Sequence, residues 1–220
     1  MNFTRWFAIF LLLSAPLTSQ CQSSDLGTWW IYFGNKKLSE RWNLHHEVQY
    51  RNYNAIGDLE QLLLRAGVGY NLTPKNNNVL LGYGFILSGN YTEDGEKVNN
   101  DEHRIYQQFQ NSNTYGRTSI KHRYRIEERW TDSGFKMRFR YFLALNIALN
   151  NWEMIDNTLY LSGYNELFIG NQSPLFDRNR IYGGLGFKFN KALKVELGYM
   201  NQVFDGSGRD QLNVILFANF

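Results

Sequence analysis

Residues 118–149 read TSIKHRYRIEERWTDSGFKMRFRYFLALNIAL, and the fold follows from how this stretch divides when every second residue is taken. In the first half, one face carries Thr118, Ile120, His122, Tyr124, Ile126, Glu128 and Trp130. The other carries Ser119, Lys121, Arg123, Arg125, Glu127 and Arg129. After the turn formers Thr131-Asp132-Ser133-Gly134, the pattern resumes with Phe135, Met137, Phe139, Tyr141, Leu143, Leu145 and Ile147 on one side. Lys136, Arg138, Arg140, Ala144 and Asn146 fall on the other. A helical period cannot produce this separation. A period of two does, because successive strand side chains point to opposite faces.

Working outward, the same alternation recurs over residues 38–54, 58–72, 79–91, 102–113, 178–190, 193–204 and 210–220, and less cleanly over 157–170, where Asn165 lands on the apolar face. The gaps between them are rich in turn formers: Asn35-Lys36-Lys37, Thr73 to Asn78 and Asp205 to Gly208. Pro74 and Pro174 both lie in such gaps, where a missing N–H breaks no ladder. Several strands run about 12 to 16 residues, whereas globular strands usually number about 5 to 6. A tilted strand needs roughly 9 to 11 residues to cross a bilayer. No linker, repeat or shift in composition divides the chain, so we expect a single all-β domain.

Composition narrows the class further. With 23 basic and 20 acidic side chains among 220 residues, the formal charge is only +3, too weak a bias to suggest nucleic acid as a partner. The 16% aromatic content excludes a disordered chain. No apolar run approaches the roughly 18 residues of a membrane helix. At the start, Arg5 followed by the short apolar stretch Trp6 to Leu13, with small residues before Gln22, reads as an export signal over residues 1–21, leaving 22–220 as the barrel domain. A lipoprotein with Cys21 acylated is the alternative, disfavoured because Thr18-Ser19-Gln20 puts a Gln beside the Cys. Removing residues 1–21 also removes the single Cys, so the exported chain would have no disulfide.

A two-faced strand suits a soluble barrel with its apolar face inside, or a membrane barrel with that face outside. The apolar face here is bulky: Trp42, Leu44, Val48 and Tyr50, then Leu62, Leu64, Val68 and Tyr70, then Val79, Leu81, Tyr83, Phe85 and Leu87. It would overfill a small barrel interior. Aromatics gather near strand ends, at Trp42, Tyr70, Tyr91, Trp130, Phe187, Phe189 and Phe220, as interfacial girdles do. The terminal Phe220 closes an alternating apolar run, like the end signal read by barrel-insertion machinery. We therefore expect a transmembrane antiparallel up-and-down β-barrel of a Gram-negative outer membrane. Its partners would be the surrounding lipid and the insertion machinery, and it would be monomeric and without a cofactor. The even-number habit of such barrels suggests ten strands, or twelve if one is missed, with Thr28 to Phe33 as a partial extra strand or plug near the periplasmic rim. The gaps at 55–57, 92–101, 132–133, 171–177 and 205–209 would face outside.

The chain also resembles a bacterial outer-membrane family catalogued as domain of unknown function 2490. The resemblance is carried by Trp29-Trp30-x-Tyr32, Tyr50-Arg51, Gln61-x-x-x-Arg65-x-Gly67-x-x-Tyr70, Gly82-Tyr83-Gly84 and Glu102-His103-Arg104-Ile105. It continues with His122-Arg123-x-Arg125-x-Glu127-x-Arg129, Asn165-Glu166-Leu167 and Asn179-Arg180-x-Tyr182-x-Gly184-x-Gly186. It spans about residue 25 to Phe220 and implies an outer-membrane barrel with no assigned activity.

Whatever chemistry exists must lie on the polar face. Its inward set includes Arg41, Glu47, Arg51, Arg65, Arg104, Lys121, Arg123, Arg125, Glu127, Arg129, Lys136, Arg138, Arg140, Glu166, Arg180, Lys188, Lys194 and Glu196. Two uses compete. The arginines and acids, with Gln61 and Tyr182, can form a satisfied network that fills a narrow interior, since the Arg fork pairs bidentately with carboxylates. Alternatively, surplus Arg can line a porin-like aqueous path that attracts anions. Gly67, Gly69, Gly184 and Gly186 would leave room for a long Arg opposite. Enzyme signals are thin: His45, beside Glu47 on the same face, is the one pair resembling an oriented base. The acidic stretch Thr92 to Asp101 lacks EF-hand spacing and reads as a solvated loop. An envelope enzyme acting on lipid or glycan, or a surface binding module, remains the alternative class.

Overall fold

The computed structural model describes residues 26–74 and 76–220; the expected export signal over residues 1–21, with Cys21, lies outside the described residues. Among the described residues, eleven strands form one closed barrel. They are β1 (Gly27–Lys37), β2 (Trp42–Asn52), β3 (Leu59–Asn71), β4 (Asn77–Tyr91), β5 (Lys97–Tyr115) and β6 (Thr118–Thr131). Then come β7 (Gly134–Ala148), β8 (Thr158–Gly170), β9 (Phe176–Lys188), β10 (Leu193–Phe204) and β11 (Ser207–Asn219). Each strand from β1 to β11 pairs antiparallel with the next in sequence, and β1 closes the wall against β11 in parallel, from Gly27↔Gln211 to Asn35↔Asn219. Closure must be parallel here, since an odd number of alternating strands leaves the first and last pointing the same way.

This corrects the expected strand count of ten or twelve. The stretch 28–33 is neither a plug nor a fragment but part of a full wall strand, and it begins at the rim opposite the C-terminus. Asn35 to Lys37 have the composition of a turn, yet they pair with Asn43–His45 of β2. The true turn is Leu38–Arg41, where Leu38 N donates to Trp42 O (2.9 Å) and Ser39 Oγ accepts from Trp42 N (3.1 Å). Similarly, Lys97–Asp101 is strand rather than loop, pairing with Leu87–Tyr91, so the β4–β5 loop shrinks to a few residues.

Two rims result. The lower rim holds Phe220 and the turns after β1, β3, β5, β7 and β9; the upper rim holds Gly27 and the remaining turns. Phe220 is tied into the seam, its N donating to Asn35 O (2.9 Å) and its O accepting from Lys37 N (2.9 Å).

The wall sorts side chains as the alternation requires. On β6, Arg125 is 2% and Glu127 0% exposed, while Ile126 between them is 42% exposed. The outer surface carries Trp30, Val48, Leu64, Val68, Leu81, Ile105, Phe139, Leu143, Leu145, Leu185 and Leu197, all exposed. Near the rims this surface turns aromatic. Trp42–Tyr70 (4.9 Å) and Phe187–Phe189 (4.8 Å) sit at the lower end, and Trp130–Phe135 (5.4 Å) and Tyr53–Tyr91 (5.5 Å) at the upper end. Strands spaced about 4.8 Å apart and tilted about 40° place eleven backbones on a circle of about 11 Å radius. That is wider than an eight-stranded barrel, so only long side chains can close it.

Candidate functional site

The interior fills from all sides. At mid-height Tyr106, Tyr182, Met200 and Ile215 are buried, with Tyr182 stacked on Tyr164 (4.7 Å), and Tyr160 is buried nearer the lower rim. A Cβ on Gly82 would land in the Tyr106 ring, one on Gly186 in the Tyr160 ring, and one on Gly184 or Gly198 against Tyr182. These glycines therefore make room for tyrosines, from the neighbouring strand at Gly82, Gly186 and Gly198 and from the same strand at Gly184. Gly67 faces Leu80 and Gly69 faces Asn43, so the expectation that the four named glycines accommodate arginines is corrected; the glycines with an Arg close by are Gly84, beside Arg65, and Gly27, beside Arg209.

The upper half holds an ionic network. Glu127 is its hub. Its Oε2 accepts from Arg138 Nε (3.0 Å) and Nη2 (2.6 Å), its Oε1 accepts from Arg140 Nη1 (2.5 Å), and Arg125 lies at 3.5 Å. Glu166 binds Arg140 (2.5 Å) and Arg123 (2.7 Å), with Arg180 at 3.8 Å. Glu102 accepts four bonds at 2.5–3.0 Å, two each from Arg104 and Arg129. Asp177 joins Arg138 (2.8 Å) to Arg178 (2.7 Å), and Glu47 takes Arg65 (2.6 Å). Burying these carboxylates is tolerable because each one is hydrogen-bonded to at least one guanidinium.

All eleven residues singled out from the sequence (Arg51, Arg65, Arg104, Arg123, Arg125, Glu127, Arg129, Arg138, Arg140, Glu166 and Arg180) point inward into this half. Arg41 does not join them. It sits in the exposed β1–β2 turn, where its Nη1 donates to Tyr70 Oη (2.8 Å). The inward set read from the sequence omits Glu102 and Arg178, which open the stretches 102–113 and 178–190, and Asp177, which ends the gap 171–177. It also missed the aromatic bases of the network: Phe168 lies under Arg140 (4.5 Å), Arg180 (4.7 Å) and Arg138 (5.1 Å), and Trp29 under Arg51 (3.7 Å) and Arg180 (4.9 Å). The signal that could have found Glu102 is its parity with Arg104.

Between these groups lies a cavity of ≈ 60 Å³, lined by eight arginines together with Gln61, Glu102 and Phe168. Arg65 and Arg138 at its floor are 4% and 5% exposed at the side chain, whereas Arg129 and Arg178 reach 19% and 27%. The cavity is thus approached from the upper rim.

The lower half is built differently. Asn35, Asn43, Asn71 and Asn78 form a hydrogen-bonded chain at 2.7–2.9 Å, in which Asn35 and Asn78 are residues the sequence marks as turn formers. Glu196 accepts from Tyr160 Oη (2.9 Å) and Ser162 Oγ (3.0 Å), and Lys121, Lys188 and Lys194 share that end of the interior. His45 lies 3.5 Å from Glu47 and stacks on Phe33 (6.3 Å). At the upper rim, Lys97 Nζ donates to Asp58 (2.5 Å) and holds that carboxyl below the usual carboxylate range. No group of three His, Cys, Asp or Glu able to hold a metal occurs among the described residues.

A closed β-barrel with an ionic interior and an apolar outer wall is the class that this geometry defines. The chain belongs to the family described as protein of unknown function (DUF2490), matched over residues 26–213. It is also 30% identical over 169 residues to an uncharacterized protein of Methylorubrum extorquens, covering 71% of this chain and 69% of that one. No solved structure matches the chain.

Proposed function

We propose that this protein is a monomeric outer-membrane β-barrel, closed at mid-height, that serves envelope structure rather than bulk diffusion. The observation that carries the reading is the inverted wall. Apolar side chains face outward between two aromatic bands, and charged ones face inward. In water that outer surface far exceeds the few hundred Å² of contiguous apolar patch a soluble monomer exposes. In a bilayer it is the favoured side. An eleven-residue strand tilted about 40° rises roughly 28 Å, close to the apolar band of about 25 Å in such barrels. The ordered alternation of Phe220 and the apolar positions before it supports recognition by insertion machinery.

Closure follows from the interior. Arginines from β6 and β7 converge on Glu127, and tyrosines from β5, β8 and β9 fill the level below. A second reading, passive passage of small anions, draws on the excess of arginine over carboxylate in the upper half. The reading assigns no catalysis: His45 contacts Glu47, and among the described residues no hydroxyl or thiol is hydrogen-bonded to it.

Reconstitution separates these possibilities. The purified chain should require detergent, migrate faster in gels before boiling than after, and give no stepwise conductance in planar bilayers. Anion-selective steps would move the assignment to passage. A monodisperse protein in plain buffer would overturn the membrane reading itself.

A further inference from the structure

The charge balance around the upper cavity points to a ligand. Ten arginines project into this half of the barrel: Arg51, Arg65, Arg104, Arg123, Arg125, Arg129, Arg138, Arg140, Arg178 and Arg180. Among the described residues, five carboxylates meet them: Glu47, Glu102, Glu127, Glu166 and Asp177. Five positive charges are left without a counter-charge. They are not spread evenly. Glu102, the one carboxylate lining the cavity, has both oxygens occupied by Arg104 and Arg129. Glu127, Glu166 and Asp177 are each shared by at least two guanidinium groups.

The unmatched charge therefore falls on two lining residues, Arg51 and Arg180, and a third, Arg65, adds an unpartnered N–H. Arg51 has no carboxylate within 4 Å among the described residues; its three donors go to Gln49 and Gln61. Arg180 reaches Glu166 only at 3.8 Å. Arg65 holds Glu47 through Nη1, while its buried Nε has no partner among the described residues. All three are nine-tenths or more buried, at 5%, 7% and 7% exposure. Uncompensated charge at that depth is expensive unless something of opposite sign joins it.

The space limits what that is. A water needs about 10–15 Å³ measured in this way, so ≈ 60 Å³ holds about four oxygen-sized atoms. That is the count of one tetrahedral oxyanion. Planar guanidinium forks from several directions are the groups that bind phosphoryl oxygens bidentately. We propose that the cavity between Arg51, Arg65 and Arg180 is a binding site for a phosphoryl oxyanion, entered from the upper rim past Arg129 and Arg178. The source is either free phosphate or the phosphomonoester headgroup of a lipid. The site does not depend on whether the wall sits in a bilayer.

Isothermal titration at low ionic strength tests it, using the full exported chain in detergent. Inorganic phosphate should bind saturably with one site, and sodium chloride at equal ionic strength should not reproduce the signal. Arg51→Gln and Arg180→Gln each remove a surplus charge that no carboxylate needs, so both should fold, as circular dichroism would confirm. Each should weaken phosphate binding about tenfold or more. Arg209→Gln, whose Arg pairs with Glu60 outside the cavity, should bind as the parent does. Nanodiscs containing phosphatidic acid form the second arm. Binding there that free phosphate competes away assigns the lipid headgroup as the source, and binding of phosphate alone assigns the free ion. Absence of saturable binding in both arms, an equal response to chloride, or undiminished binding in the Arg51→Gln and Arg180→Gln proteins would each overturn the proposal.

Discussion

Replacing Glu127 by Gln removes one negative charge from the point where arginines of two adjacent strands converge, with almost no change in volume. Its carboxylate accepts three hydrogen bonds of 2.5–3.0 Å from Arg138 and Arg140, and Arg125 and Arg104 lie at 3.5 and 3.9 Å. A hydrogen bond to a charged group contributes about 1.5–3 kcal/mol, and breaking a buried ion pair costs about 3–5 kcal/mol. Arg140 keeps Glu166 and Arg138 keeps Asp177, so neither is fully orphaned. The loss should therefore fall near the lower bound, about 3 kcal/mol. Urea unfolding of vesicle-inserted protein, followed by tryptophan fluorescence, measures it as a lower midpoint with an unchanged slope. Adding Arg125→Gln to Glu127→Gln should recover part of the loss, because it withdraws a charge that the hub no longer neutralises. A midpoint shift no larger than that of Glu40→Gln, in an exposed turn, would refute the idea that this hub holds the interior together.

Three further outcomes follow from the wall. Leu143→Arg puts a charge on the outer face near mid-strand and should cost about 2–4 kcal/mol or block insertion. Ala144→Glu, one residue along, faces Lys121 across β6 and should be tolerated, and equal damage at both sites would contradict the inward–outward assignment. Because β1 enters at the upper rim while β11 leaves at the lower, epitopes placed before Gly27 and after Phe220 should label from opposite sides of the membrane; antibody binding to intact cells would reach only the first. Deleting Phe220 removes two seam hydrogen bonds as well as the terminal aromatic, and should reduce the heat-modifiable fraction in an assembly assay.

Much of the wall was readable in the chain itself. Alternation is a local property: once Arg125, Glu127 and Arg129 share a parity, they share a face wherever the strand goes. For that reason all eleven singled-out residues fell on the expected side, and so did Asn165, exposed on the outer face and bonded to Asn179 (2.7 Å). Strand ends were less readable. Asn35 to Lys37 and Lys97 to Asp101 have turn-like composition, yet they pair because a neighbouring strand extends alongside them.

From the sequence alone came the all-β class, the long amphipathic strands and the division of the chain into an apolar and a charged face, since each depends only on residues two apart. The tertiary structure alone decided that eleven strands close through a parallel seam, because closure is a property of the whole ring. It also decided which charges meet. Arg123 reaches Glu166 and Arg138 reaches Asp177 by passing over an intervening strand, and Trp29, Arg51 and Arg180 gather from β1, β2 and β9. Long side chains in a narrow cylinder choose partners by distance across its interior, and no local spacing encodes that distance.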